Sequence, residues 1–215
     1  MKPDTNRMYE LLGVMHPDAK AELNFTTPYE LLIATVLSAQ CTDIRVNQVT
    51  ETLFHRVKTP EDMRALPQTE LEDIIRSCGM YKQKARSLKE AATDLVEKFG
   101  SQVPSERRDL ESLRGVGTKT ASVVLSNAFG IPAIAVDTHV TRVSRRLGLT
   151  KQSNPDKIAQ DLMKLFPKEQ WTLLHHRLIF HGRYVCQARR PDCGHCLLHP
   201  ICPKIGVDLD HKKSV

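Results

Sequence analysis

The sequence predicts an all-α protein, and three observations carry that expectation. Gly and Pro break the chain at irregular intervals, and between them apolar residues recur three and four apart. No segment alternates apolar and polar side chains over strand length. The best strand-like stretch, Ala133-Ile134-Ala135-Val136, has four residues between Pro132 and Asp137, too few to support a sheet.

Taken in order, Thr27-Pro28 opens the first clear helix. Thr is a favoured N-cap, Pro fits the first helical position, and the run Leu31, Leu32, Ile33, Thr35, Val36, Leu37 reads as fully buried. Further helices are expected over 43–56, 60–65, 68–77, 81–99, 105–113, 117–129, 137–147, 154–166 and 168–181. A short turn is expected near 193–198, and Ile205–Val215 reads as a loose tail. The apolar stretch 121–136 is interrupted by Ser122, Ser126, Asn127, Gly130 and Pro132, and the start of the chain is polar. Neither reads as a membrane span or signal peptide, so a cytoplasmic protein is expected.

Of the 215 residues, 40% are hydrophobic and 26% charged, which excludes a disordered, collagen-like or coiled-coil chain. The formal net charge of +6 is unevenly placed. Residues 1–136 hold 17 basic and 18 acidic side chains, whereas 137–190 hold 11 and 4. A field concentrated in this way favours a polyanionic partner.

Thiols stay reduced in the cytoplasm, so the six cysteines call for a reading other than disulfides. Cys41 and Cys78 read as small buried side chains. Cys186, Cys193, Cys196 and Cys202 fall within 17 residues and offer four thiolates from one loop. That pattern points to a metal centre. Zinc and an iron–sulfur cluster both remain open on chemistry alone, although only one short Cys-x2-Cys knuckle is present, where structural zinc sites usually pair two. His195 and His199 lie inside the loop, and with four thiolates available they read as surface residues.

A second constellation is Leu113-Arg114-Gly115-Val116-Gly117-Thr118-Lys119-Thr120, between two helical stretches. Two glycines flanking one apolar residue suit a tight hairpin with positive φ, which leaves the next helix's unpaired N–H groups facing outward. Such a terminus binds phosphate without sequence preference. The spacing is neither a Walker loop nor a dinucleotide fingerprint. Lys119 falls in the first turn of the second helix, where the macrodipole opposes a cation. The dipole and partial burial would together favour the neutral amine that attacks a sugar aldehyde; an ordinary solvated lysine or a phosphate contact is the alternative. Asp137 precedes Thr138-His139-Val140 and is well placed as an N-cap, a position that could also keep a carboxylate ionised for proton transfer.

In their order and spacing, Gly115-Val116-Gly117-Thr118-Lys119-Thr120-Ala121, Ile134-Ala135-Val136-Asp137-Thr138-His139 and the four-cysteine loop resemble the endonuclease III family. That is the iron–sulfur branch of the helix-hairpin-helix DNA glycosylases. The likeness extends to Leu37-Ser38-Ala39-Gln40-Cys41-Thr42-Asp43 and to Gly79-Met80-Tyr81 with Lys84-Ala85 following. The resemblance implies two helical domains flanking a cleft, with a helix-hairpin-helix motif and a C-terminal [4Fe-4S] loop. One domain would be a continuous bundle over 21–131; the other would join 1–20 to 132–215 and hold the cluster loop, 186–202.

The same resemblance makes Lys119 the nucleophile at C1′ of a damaged nucleotide and Asp137 the assisting carboxylate. It implies removal of oxidised pyrimidines from duplex DNA by a monomer, then β-elimination 3′ to the abasic site. It ligates one [4Fe-4S] cluster through Cys186, Cys193, Cys196 and Cys202. It places Gln40 and Met80 in the vacated base position, and sets Gly115, Val116, Gly117, Thr118, His139, Arg189 and Arg190 against DNA. Trp171, His175 and His176 read as structural. Three positions depart from the family pattern: Arg114 stands where proline is common, Thr118 where arginine is frequent, and Met80 where leucine is frequent.

Three alternatives stand beside this reading. A monofunctional adenine-excising glycosylase would lack the lysine and usually carries a further domain; the 8-oxoguanine type typically has no cluster. A non-enzymatic, metal-stabilised DNA-binding module fits the glycines, arginines and cysteines equally well, and only Lys119 and Asp137 discriminate against it.

Overall fold

A computed structural model describes residues 3–208, and among them the regular structure is entirely helical. The helices are α1 (Thr5–Met15), α2 (Pro28–Leu37), α3 (Asp43–Arg56), α4 (Pro60–Ala65), α5 (Gln68–Ile74), α6 (Tyr81–Phe99), α7 (Arg107–Ser112), α8 (Thr118–Ala128), α9 (Thr138–Arg146), α10 (Pro155–Leu165) and α11 (Trp171–Tyr184). A 3-10 turn over Lys168–Gln170 precedes α11. No helix among the described residues is long and apolar enough to cross a membrane.

The helix starts follow from local chemistry. Thr27 accepts from the Glu30 N–H at 3.1 Å with Pro28 behind it, while Glu30 Oε2 reaches back to the Thr26 N–H at 2.6 Å. Thr59 and Asp62 form a reciprocal capping box at α4, and Asn154 with Pro155 starts α10. Asp4 caps α1 through the Arg7 N–H at 3.0 Å.

The chain separates into two compact units: Ala21–Ala133, and another drawn from both ends of the chain, up to Lys20 and from Ile134 on. In the first, α2 runs through the centre, buried from Tyr29 to Leu37, with α8 packed on it and α4 on α6. Its core includes Leu31, Ile33, Leu53, Leu71, Leu95 and Leu110. The second gathers Met8 and Leu12 of α1 with Val140, Val143, Ile158, Leu162, Leu174 and Leu178. There α9 lies against α11, and Gly182 permits the approach: a Cβ at that position would meet His139 Cβ at 2.8 Å.

Several elements differ from the sequence reading. Helix α1 goes unforeseen by periodicity, because its buried stripe consists of Met8 and Leu12 alone. Helix α5 ends at Ile74, where Ile75 and Cys78 turn inward, and α7 begins only at Arg107. The Lys168 stretch is a 3-10 turn before α11 continues to Tyr184. Residues 193–198 form turns and a bend, as expected. Ala133 to Val136 are buried and form no strand, as expected of so short a stretch. Cys78 is fully buried, whereas Cys41 is half-buried. The expected tail is anchored at its start, since the Ile205 N–H donates to Arg146 O at 3.2 Å; positions 209–215 lie outside the described residues.

Candidate active site

The hairpin between α7 and α8 is built around two buried apolar residues, Leu113 and Val116, with the Val116 N–H donating to Leu113 O at 3.1 Å. Gly115 sits at φ +81°, and a Cβ there would lie 2.9 Å from Ser87 Cβ, so both conformation and space require glycine. Gly117 differs from expectation. Its φ of −101° with ψ of 179° is ordinary extended backbone, and a Cβ on it would meet nothing within 4 Å. Space in front of Gly117 is therefore open toward solvent, where an incoming group can approach the main chain.

Gly117 is the N-cap of α8, and no side chain caps that helix. The first N–H groups of α8 therefore meet no capping oxygen, an arrangement suited to an anion. Arg107 braces the hairpin from α7: its Nη1 lies 3.1 Å from Ser122 Oγ and 3.5 Å from Thr118 O. Lys119 occupies the exposed first turn of α8. The expected partial burial is thus absent, and its position on the dipole is the feature that remains. Thr118 is exposed as well, and Arg114 points to Glu90 at 3.3 Å between two exposed side chains, a weak pair that a phosphate could displace.

Asp137 is the N-cap of α9, with Oδ1 accepting from the Val140 N–H at 2.8 Å and Oδ2 3.2 Å from His139 Nδ1. Both side chains are half-buried. The carboxylate is fixed in direction by its own helix, as the sequence suggested.

Past α11 the chain folds into the cysteine loop. Cys186, Cys193, Cys196 and Cys202 all line one pocket, together with Arg146, His181 and His199. Burial pushes the Cys196 thiol up to about 11 and raises Cys202 as well, so neither is a ready thiolate without a nearby positive charge. No group of three or more His, Cys, Asp or Glu among the described residues is disposed around a single metal ion. Arg189 and Arg190 are exposed on the loop, and His195 pairs outward with Asp192 at 2.8 Å. Trp171 donates to Phe166 O at 2.8 Å, and His175 and His176 are buried with ring centroids 4.8 Å apart. All three are structural.

Two residues of this region escaped the sequence reading as anything but charge. Arg146 donates to Gln187 O at 2.7 Å and Ala188 O at 2.8 Å, and Arg142 donates to Cys186 O at 3.1 Å and Gly182 O at 2.8 Å. Part of the basic surplus of 137–190 therefore holds the loop in place and is not offered to a partner. His181 was also missed; its Nε2 lies 3.7 Å from Cys196 Sγ and its Nδ1 3.1 Å from His16 Nε2. Their signal in the sequence is only the spacing of Arg142 and Arg146, four apart on one face of a helix.

Gln40 and Met80 are both exposed, and both adopt left-handed backbone, at φ 54° and 57°. Non-glycine residues rarely do so, and such strain collects at functional positions.

Residues 33–168 match the family model for the HhH-GPD superfamily of base excision DNA repair proteins. The chain is 49% identical over 205 residues to endonuclease III of Bacillus subtilis, covering 95% of this chain and 93% of that one. It is 43% identical over 195 residues to the Escherichia coli K12 endonuclease III, covering 90% and 92%. Among solved structures, a trapped covalent endonuclease III–DNA intermediate with an estranged adenine superimposes with a TM-score of 0.91 at 48% identity, covering 95% of this chain and 97% of that one. A Helicobacter pylori 3-methyladenine DNA glycosylase shares the fold at 17% identity, with a TM-score of 0.71 over 84% of this chain and 97% of that one. A family model spanning most of the chain and relatives at 43–49% identity over nearly its whole length show that this chain belongs to the endonuclease III family of the HhH-GPD superfamily.

Proposed function

We propose that the protein excises oxidised pyrimidines from duplex DNA and cleaves the strand 3′ to the resulting abasic site, acting as a monomer. The observation that carries this reading is Lys119 on the uncapped first turn of α8, directly after the Gly115-Val116-Gly117 hairpin. The helix terminus receives a backbone phosphate while the amine beside it attacks C1′. Attack forms the N–C1′ bond as the base leaves; loss of the amine proton and opening of the C1′–O4′ bond, with a proton delivered to O4′, give the imine, and loss of its C2′ proton then breaks the C3′–O3′ bond. Asp137, held by the Val140 N–H, stabilises cationic character at the sugar and moves the protons the sequence requires. Gln40 and Met80 fill the space the extruded nucleotide leaves. Val116 secures the hairpin, His139 orients Asp137, and Gly115, Gly117, Thr118, Arg189 and Arg190 face phosphate.

The four cysteines fit a [4Fe-4S] cluster. They surround one pocket, yet no three converge as a single ion demands, whereas a cubane takes each thiolate on a separate iron. When bound, the cluster would cross-link the four thiols, fixing the loop that carries Arg189 and Arg190. A yellow-brown protein with visible absorbance is expected; a colourless sample with stoichiometric zinc would overturn this assignment.

Borohydride trapping tests the chemistry. The protein should form a covalent adduct with abasic-site DNA, and Lys119→Ala should form none. An equal adduct from both proteins would exclude Lys119 as the nucleophile, and none from either would rule out the Schiff base and favour the non-enzymatic module.

A further inference from the structure

Lys84 lies in the first turns of α6, and its N–H donates to Met80 O at 3.0 Å. Its side chain runs inward, leaving the residue 5% exposed. There the ammonium donates to Leu37 O at 2.8 Å and to Ala39 O at 2.7 Å. Leu37 is the last residue of α2, and Ala39 directly precedes Gln40. The two turns also approach through the main chain: a Cβ on Gly79 would sit 3.9 Å from Gln40 O.

No ion pair to a carboxylate is found for Lys84 among the described residues. Burial accordingly holds its ammonium below the ordinary lysine value, opposed by the nearby Cys78 and Cys41. A buried charge without a counter-charge is costly, and an apolar chain of equal length would fill the same space more cheaply. What an apolar chain cannot do is bind two carbonyls that the end of a helix leaves exposed.

We propose that Lys84 is a positioning residue for base extrusion, tying the Gln40 turn to the helix that Met80 opens so that the two side chains enter the duplex as one rigid wedge. This rests on the assignment of Gln40 and Met80 to the vacated base position. Both side chains sit on strained left-handed backbone, and a strained turn holds one conformation only where its surroundings fix it. Lys84 supplies that fixation from a single point. Its contribution is greatest when a base must be unstacked, and small when the base is already gone.

The test compares single-turnover base excision from duplex containing an oxidised pyrimidine with strand cleavage at a preformed abasic site. Lys84→Met should slow excision by about tenfold or more while slowing cleavage by less than about threefold, because an abasic site has no base to unstack. Equal losses in the two assays would mean a general structural role and overturn the proposal. Combined with Gln40→Ala, Lys84→Met should add little to the loss from Gln40→Ala alone; multiplicative losses would also overturn it. If Gln40→Ala and Met80→Ala leave the excision-to-cleavage ratio unchanged, the wedge assignment itself fails, separately from Lys84. Should Lys84→Met not fold, Lys84→Arg enters the same cycle, with a smaller preferential loss of excision expected and an equal loss in both assays counting against the proposal.

Discussion

Arg146 and Cys186 meet at two points: Arg146 Nη1 lies 3.3 Å from Cys186 Sγ and 3.4 Å from its carbonyl oxygen. The arginine is 8% exposed, and its remaining side-chain bonds go to the next two carbonyls of the loop. Arg146→Met should therefore destabilise the loop by about 1.5–3 kcal/mol, because three loop carbonyls lose a charged donor together. Thermal unfolding and the rate at which a chelator bleaches visible absorbance would show it. An unchanged melting temperature with unchanged bleaching would refute the staple.

The two hairpin glycines should separate stability from binding. Gly115→Ala places a side chain at φ +81° against Ser87, so it should lower stability by about 1–3 kcal/mol. Gly117→Ala meets open space and extended backbone, so its stability change should stay under about 1 kcal/mol. Its effect should instead appear as weakened DNA binding, since the added methyl stands where phosphate approaches. Chemical denaturation and fluorescence anisotropy measure the two quantities.

Asp137 caps α9 and is proposed to serve the chemistry, and two substitutions divide those roles. Asn is as good a cap as Asp, so Asp137→Asn should leave stability within about 0.5 kcal/mol while cutting excision by about a hundredfold or more. Asp137→Ala should lose about 1 kcal/mol in addition. If Asp137→Asn excises normally, the carboxylate is a cap and nothing else.

Acid should weaken the fold through His176. Burial lowers its value from 6.5 to about 4, so the imidazole stays neutral in the folded protein where the unfolded chain has already bound a proton. The unfolded state thus holds more protons between those limits, and stability must rise with pH across them. Its contribution is complete above about 6.5 and is lost as pH falls toward about 4, by roughly 3 kcal/mol in all. In His176→Phe, unfolding free energies measured over this window should depend less steeply on pH; an identical profile would exclude the residue.

Helix positions were legible in the sequence where local chemistry sets them. Thr27-Pro28 and Asn154-Pro155 mark starts that the structure reproduces, because a cap and its helix lie within four residues of each other. The hairpin was visible for the same reason, though the sequence could not tell that Gly115 alone needs a positive φ while Gly117 is extended. What stayed hidden depends on distant partners. Arg142 and Arg146 read as surface charge until α9 is placed beside α11 and the loop beyond it. Lys84 reads as one cation among several on an amphipathic helix, since its two acceptors lie 47 and 45 residues earlier. Helix α1 shows too narrow an apolar stripe to stand out alone.

Helix α9 joins the carboxylate at one end to the cysteine loop at the other: Asp137 caps its start, and Arg146, its last residue, grips the loop carbonyls. An α-helix turns about 100° and advances about 1.5 Å with each residue. A single insertion or deletion between these two positions would therefore swing one end by more than a quarter turn relative to the other. Individual side chains along α9 can vary, but its length cannot, and damage to the cysteines would be felt at the carboxylate through a strut of nine residues.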